Sequence, residues 1–181
     1  MSINTIEKAP FQQSVPKVAE KEPETAEKLV IFAWSGELDK IWPTLILATT
    51  GAAMGKETTV FFTFWGLFPL VKNQVRLTGE NWMQKMLSMM NRGGDMHLKL
   101  SKMNFAGAGP AMMNHLAKEH HVASPHELME VAKEMGVHLI PCQMTMDMMG
   151  LKREDLIDGL EEPAGATKAL ADAQGAITLF I

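Results

Sequence analysis

The chain has 181 residues, 46% hydrophobic and 21% charged, with a formal net charge of −4. That length suits one domain with an ordered core, and the acidic balance excludes the basic surface that nucleic acids require. A single cysteine excludes an internal disulfide framework and a multi-cysteine zinc site, and it fits a reducing, cytoplasmic setting.

Residues 1–27 are polar, mixed in charge and contain three prolines. They bury too little apolar area to offset ordering entropy and read as a disordered tail with no apolar signal region. Residues 28–181 then read as a single α/β domain. "KLVIFAW" (28–34) is a continuous apolar run, the pattern of a strand buried on both faces. "SGELDK" (35–40) supplies a turn at Gly36 and acidic residues for a helix start. The helix continues through "IWPTLILATTGAAMG", with Pro43 tolerated in a first turn and Gly55 as its C-terminal stop. "ETTVFFTF" (57–64) is a second buried strand. The three elements make a βαβ unit, which implies parallel pairing. The apolar stretch from Thr58 to Val71 is shorter than the roughly 20 residues of a membrane span.

The next stretch forms a helical, methionine-rich insertion around residues 66–106. "ENWMQKMLSMMN" puts Met83, Met86, Leu87 and Met90 on one helical face. "DMHLKLSKMNF" follows with Met96, Leu98 and Leu100 at period two. The chain has 16 methionines and no tyrosine, a composition that suits irregular cores or adaptable surfaces. "GAGP" (107–110) opens another helix with Pro110 at its first position. "SPHELMEVAKEMG" carries a capping box, Ser124 with Glu127, and a Gly136 stop. "VHLIPC" (137–142) is a third strand, "KREDLID" a short helix, "GLEEP" a short strand, "ATKALADAQGA" a last helix and "AITLFI" a closing strand. The alternation predicts a three-layer α/β/α sandwich around a mainly parallel five-stranded sheet.

Ligands of open parallel sheets sit outside the carboxyl ends of the strands. Ser35 and Gly36 end the first strand and Cys142 ends the third, so the fold brings them to one rim. Four methionines follow Cys142 within seven residues. A helix N-terminus after Cys142, capped by Thr145 or Asp147, favours the thiolate. The competing reading is an inert core cysteine. His138 lies on the same face of the strand, about two pleats away, which is too far for a Cys–His dyad. Chemistry at the thiolate itself, sulfur transfer or thiol exchange, fits better. Cys142 with Met144, Met146, Met148 and Met149 offers soft donors for Cu(I), but residues at these spacings do not all converge. The "GAGP" start, with Gly109, offers a seat for an anion such as thiosulfate, sulfate or phosphate. A dinucleotide fingerprint, a Walker lysine motif and a paired-histidine metal motif are all missing, so neither a cofactor nor a metal is expected.

Five stretches, "SGELDK" (35–40), "GAAMGKETTVFFTFWGL" (51–67), "LSKMNFAGAGPAMM" (100–113), "CQMTMDMMG" (142–150) and "LIDGLEEPAGA" (156–166), resemble the DsrE/DsrF-like family of small sulfur-relay proteins. The likeness is to the branch often labelled peroxiredoxin family protein, and it covers all but the tail. The resemblance implies a DsrE-like or flavodoxin-like five-stranded α/β/α fold and a homo-oligomer. It also implies that Cys142, matching the family's cysteine, carries sulfane sulfur as a persulfide, and that the partners are a TusA-like sulfur carrier and a rhodanese. Peroxiredoxin chemistry wants a PxxxTxxC loop, whereas Cys142 follows Pro141 directly. Some members of the branch carry an additional cysteine or a membrane segment; this chain shows neither. With one cysteine, a persulfide has no internal resolving thiol, which favours a sulfurtransferase-like carrier. On this reading Ser35, Gly36, Gly109, Thr145 and Asp147 contribute to substrate binding. The alternative is a non-catalytic oligomeric protein that binds through a methionine-rich surface.

Overall fold

The apolar run after the tail forms strand β1, Lys28–Ala33, and it shares a sheet with three of the four other runs that the sequence marks as strands. The computed structural model describes residues 27–75, 79, 81–90 and 93–181, so the expected tail lies outside the described residues except for Glu27. β1 pairs in parallel with β2, Glu57–Phe62, through Lys28↔Glu57 to Ala33↔Phe62. β2 pairs with β3, His138–Pro141, and β1 pairs on its other side with β4, Ile177–Phe180, both in parallel. The order is β3-β2-β1-β4. Successive strands therefore step one way from β1 and the last returns to its far side, which puts the reversal of strand order between β1 and β4.

Side-chain alternation along the strands sorts the core. Leu29, Ile31, Ala33, Val60, Phe62 and Leu139 face helix α1, Leu38–Ala53, and helix α4, Pro125–Glu134, in the main core. Phe32, Phe61 and Ile140 face the opposite way, toward a small cluster closed by Ala169 of helix α6, Ala166–Asp172. The sandwich is thus unequal. Helix α6 on the second face is short, and an aromatic row runs along that face from Phe61 through Phe32 to Phe180 and Trp34, with centroids 6.0, 6.1 and 6.3 Å apart. Phe180 is 70% exposed there.

Local signals explain most element ends. α1 starts at Leu38, earlier than Pro43 as a first-turn residue would require, so the proline lies inside the helix. Its end has the hydrogen-bond pattern of a Schellman motif: Lys56 N–H donates to Gly51 and Gly55 N–H to Ala52, with Gly55 at φ +78°. Ser124 and Glu127 form the expected capping box on α4.

Several expectations need correction. Among the described residues the sheet has four strands rather than five, because "GLEEP" is not a strand. Its backbone runs beside β3 with Glu161 N–H on Leu139 and Ala164 N–H on Pro141, both at 3.0 Å. Pro163 between them has no N–H for a ladder. "KREDLID" forms only a 3₁₀ turn, Arg153–Asp155. Helix α3, Ala108–Glu119, starts one residue after Gly107, so Pro110 is its third residue, where a missing N–H is still costless. The period-two stretch at 96–100 includes no strand; Asp95–His97 is a 3₁₀ turn. Helix α2, Trp82–Met90, exposes Trp82, Met83, Met86 and Met89, while Leu87 packs against the main core. Among the described residues no helix is long and apolar enough to cross a membrane.

Candidate functional site

Cys142 is held by the sheet. Its N–H donates to the Phe62 carbonyl at 2.9 Å, extending the β2–β3 ladder by one residue, and the next N–H, of Gln143, donates to Ala164. The strand parity then turns its side chain toward Phe61, Ile140 and Ala169, and the residue is only 3% exposed. Helix α5, Gln143–Met149, begins immediately after it, so Cys142 itself is the N-cap. The helix therefore starts before the Thr145 or Asp147 caps expected from the sequence, and Thr145 falls in its first turn.

That placement decides the electrostatics. Burial pushes the Cys142 thiol up, but the hydroxyls of Thr145 and Thr63 and the amides of Thr145 and Met144 outweigh it, and the net pKa lies below the ordinary thiol value. Both amides lie in the first turn of α5, directly after the cysteine. Thr145 is fully buried, and its Oγ1 lies 3.3 Å from that of Thr63 and accepts the Phe64 N–H at 3.0 Å. Phe64 has φ +52°, a left-handed conformation that a bulky residue rarely adopts. Thr145 thus anchors a strained turn and polarises the cysteine beside it.

The other end of the rim is built by two glycines. A Cβ on Gly36 would meet the Trp65 carbonyl oxygen at 2.4 Å, and one on Gly66 would meet the Ala33 carbonyl oxygen at 2.1 Å. The loop after β1 and the loop after β2 therefore interlock backbone to backbone. Ser35, buried, donates its hydroxyl to the Glu37 carboxylate. Ser35, Gly36 and Glu37 line a cleft of about 450 Å³ whose other walls include Trp34, Trp65, Phe68 and His97.

Cys142 and Thr145 are brought together, with Thr63 as a partner. Ser35 and Gly36 stand on the same sheet edge but at β1, with β2 between them and β3, so about two strand spacings or 10 Å separate the strand ends. Gly109 packs instead against the Met103 carbonyl and Leu100. Asp147 is exposed and accepts from the Gln143 side chain at 2.7 Å. His138 pairs with Glu161 at 2.6 Å. Of the methionines around Cys142, Met146 and Met149 enter the main core while Met144 and Met148 face outward. Thr63 and His97 were not marked by the sequence; Thr63 was findable as the residue that ends β2 on the same edge.

The family model of DsrE/DsrF/DrsH-like proteins matches residues 25–180. The YrkE protein of Bacillus subtilis is 41% identical over 160 residues, 87% of this chain and 99% of its own length. The sulfur carrier protein DsrE2 of Allochromatium vinosum is 37% identical over 158 residues, 86% of this chain and 98% of its own. The crystal structure of the Escherichia coli ychN protein superposes with a TM-score of 0.53 at 14% identity, covering 85% of this chain and 98% of that one, which speaks for the fold alone.

Proposed function

The chain belongs to the DsrE/DsrF/DrsH-like family, and from that premise we propose that it is a sulfur carrier in a sulfur relay, with Cys142 as the loaded residue. One observation carries the reading: the only cysteine sits where two threonine hydroxyls and two first-turn amides favour its thiolate. The Cys142 thiolate attacks the outer sulfur of a donor persulfide R–S–SH. The donor S–S bond breaks, R–S⁻ leaves with the bonding pair, and Cys142 holds Cys–S–SH. An acceptor thiolate then attacks that outer sulfur and releases the Cys142 thiolate, so the cycle consumes no oxidant or reductant. The same dipoles that favour the thiolate favour the persulfide anion.

Thr145 and Thr63 are the positioning residues of this step. Ser35 and Gly36 line the cleft at the end of β1, and Gly109 and Asp147 contribute through the surrounding surface. Acceptors of the TusA-like and rhodanese kind suit a chain with one cysteine, and a reducing cytoplasm keeps that thiol available. A homo-oligomer is supported by the thinly covered second face, whose row of Phe32, Phe180 and Trp34 offers an apolar patch for a second copy.

A second reading rests on α2. Its exposed Trp82, Met83, Met86 and Met89 form an adaptable apolar surface, and in that reading Cys142 merely packs. Intact-mass spectrometry after incubation with thiosulfate, polysulfide and a low-molecular-weight persulfide separates the two. The carrier gains one reductant-labile sulfur atom and Cys142→Ser gains none. Absence of any adduct in the natural chain leaves the binding protein as the better reading.

A further inference from the structure

A cysteine that takes up and gives up sulfane sulfur must be touched by the atom that attacks it. Cys142 is only 3% exposed, and neither the cleft at the end of β1 nor the larger one lined by α3 and α4 has it in its lining. No thiol reaches the sulfur in this arrangement, and the loaded form, Cys–S–SH, needs room for one more sulfur atom. Part of the surroundings must therefore move during transfer.

The neighbours differ in how firmly they are held. Phe32, Phe61 and Ile140 belong to β1, β2 and β3, which pair in register. Thr145 is tied to the Phe64 N–H at 3.0 Å. Ala164 lies beside Cys142 and is fixed twice: its N–H donates to Pro141 and its carbonyl accepts the Gln143 N–H, each at 3.0 Å. The remaining neighbour is Ala169 of α6.

α6 is held far more lightly. Ala169 is its one buried residue, and the adjoining Leu170 is 66% exposed. Around the helix the backbone bonds close on the segment itself: Lys168 and Ala169 donate to Gly165, Ala173 to Ala169, Gln174 to Ala171 and Ala176 to Ala173. Its ion pair, Lys168 with Asp172, is internal as well. A helix of seven residues has little stability of its own, so the burial of one alanine methyl is what seats it. The chain is anchored at Ala164 before the helix and at Ile177 after it, where β4 pairs with Leu29 of β1. Gly175, at φ +72° with open space around it, turns the chain from α6 into β4.

We propose that residues 165–176, with α6 at their centre, form a movable cover over Cys142, and that Ala169 decides when a second thiol reaches the sulfur. Opening lifts the Ala169 methyl off the cluster and leaves the sheet, the threonines and Ala164 in place. Closing shields a bound persulfide from stray thiols between transfers. The transfer that is gated rests on the carrier reading of Cys142; the cover itself stands on the packing alone.

The test is the rate of Cys142 alkylation by iodoacetamide, at a pH where the thiol is ionised, across low concentrations of urea. Opening of α6 exposes little surface, so the rate should climb with urea far less steeply than global unfolding does. Ala169→Gln is too large for its seat and should speed alkylation about tenfold. Ala171→Gly alters an exposed position of α6 and should speed it about fivefold through lost helix propensity alone. The urea midpoint of the whole chain should stay close to the natural value in both. A urea dependence as steep as global unfolding, alkylation of the natural chain as fast as that of the unfolded chain, or rates that Ala171→Gly leaves unchanged overturn the proposal. Sulfur loading from a low-molecular-weight persulfide, followed by intact mass, keeps the two readings apart. Each variant should load faster in the proportion that it alkylates faster. Unchanged loading beside faster alkylation overturns the gating and leaves the carrier reading standing. No loading in any chain overturns the carrier reading and the gating with it, while faster alkylation of the variants still shows the cover.

Discussion

The buried hydroxyl of Thr145 accepts the N–H of Phe64 at 3.0 Å and so ties the first turn of α5 to the strained turn that ends β2. The same hydroxyl lies 3.3 Å from that of Thr63 and acts on the Cys142 sulfur. Thr145→Val keeps the shape and removes all three interactions. It leaves the part-buried Phe64 N–H without its partner, which costs up to about 1–3 kcal/mol. It also removes the largest influence that lowers the Cys142 pKa. Denaturant unfolding should show the stability loss, and the pH midpoint of iodoacetamide alkylation should move up. The midpoint is the informative quantity, because burial slows alkylation at every pH. An unchanged midpoint would mean that the hydroxyl does not polarise the sulfur.

Cys142 itself should make stability depend on pH. Burial raises its pKa and the threonine hydroxyls and helix amides more than reverse that, so the folded value is depressed. For an acid with a depressed folded pKa, the unfolded state holds the proton over the window between the two values, and stability rises with pH there. The contribution is therefore fully present above the unfolded thiol value, roughly pH 8.5–9, and it is lost as pH falls through the lower folded value. The difference in unfolding free energy between the natural chain and Cys142→Ala should grow from neutral pH toward pH 9. A difference that is flat, or that shrinks over that range, would contradict a thiolate-favouring site.

What the sequence disclosed and what it hid follow from the range of each interaction. The strands around Leu29–Ala33 and Thr58–Phe62, the Gly55 stop and the Ser124–Glu127 box were legible because their signals are local runs and fixed offsets. Cys142 was legible as a strand-end residue. The start of α5 was not, because Thr145 and Asp147 look like caps and only the bond from Gln143 to Ala164 shows that the helix begins at the cysteine. "GLEEP" looked like a strand since it does run beside β3, yet Pro163 and its sparse bonding keep it irregular. The apolar periodicity of α2 put Met83, Met86 and Leu87 on one face, but periodicity reports only which residues share a face: Leu87 packs against the core while Met83 and Met86 are exposed. His97 carried no local signal at all. Its significance is an unpaired atom in a cleft formed by segments about sixty residues apart.

Gly66 makes the most demanding prediction about the rim. Its φ is ordinary, so the glycine is required by space rather than by conformation. A Cβ there would come within 2.1 Å of the Ala33 carbonyl oxygen and 2.6 Å of its carbon, both backbone atoms that cannot rotate away. That carbonyl also accepts the Thr63 N–H at 2.9 Å, and Gly66 N–H donates to Trp34 at 3.0 Å. Gly66→Ala must therefore push the loop after β2 off the end of β1. The packing cost is about 1–3 kcal/mol, and the displaced loop carries both Thr63, beside Cys142, and Trp65, a wall of the cleft. Two readouts should change together: a lower denaturation midpoint and an upward shift of the alkylation midpoint of Cys142. Gly165→Ala is the control, because nothing lies within 4 Å of the Cβ it would add. Equal stability of the two variants would mean that the loops do not interlock as described, and that the cleft and the cysteine are not braced by one another.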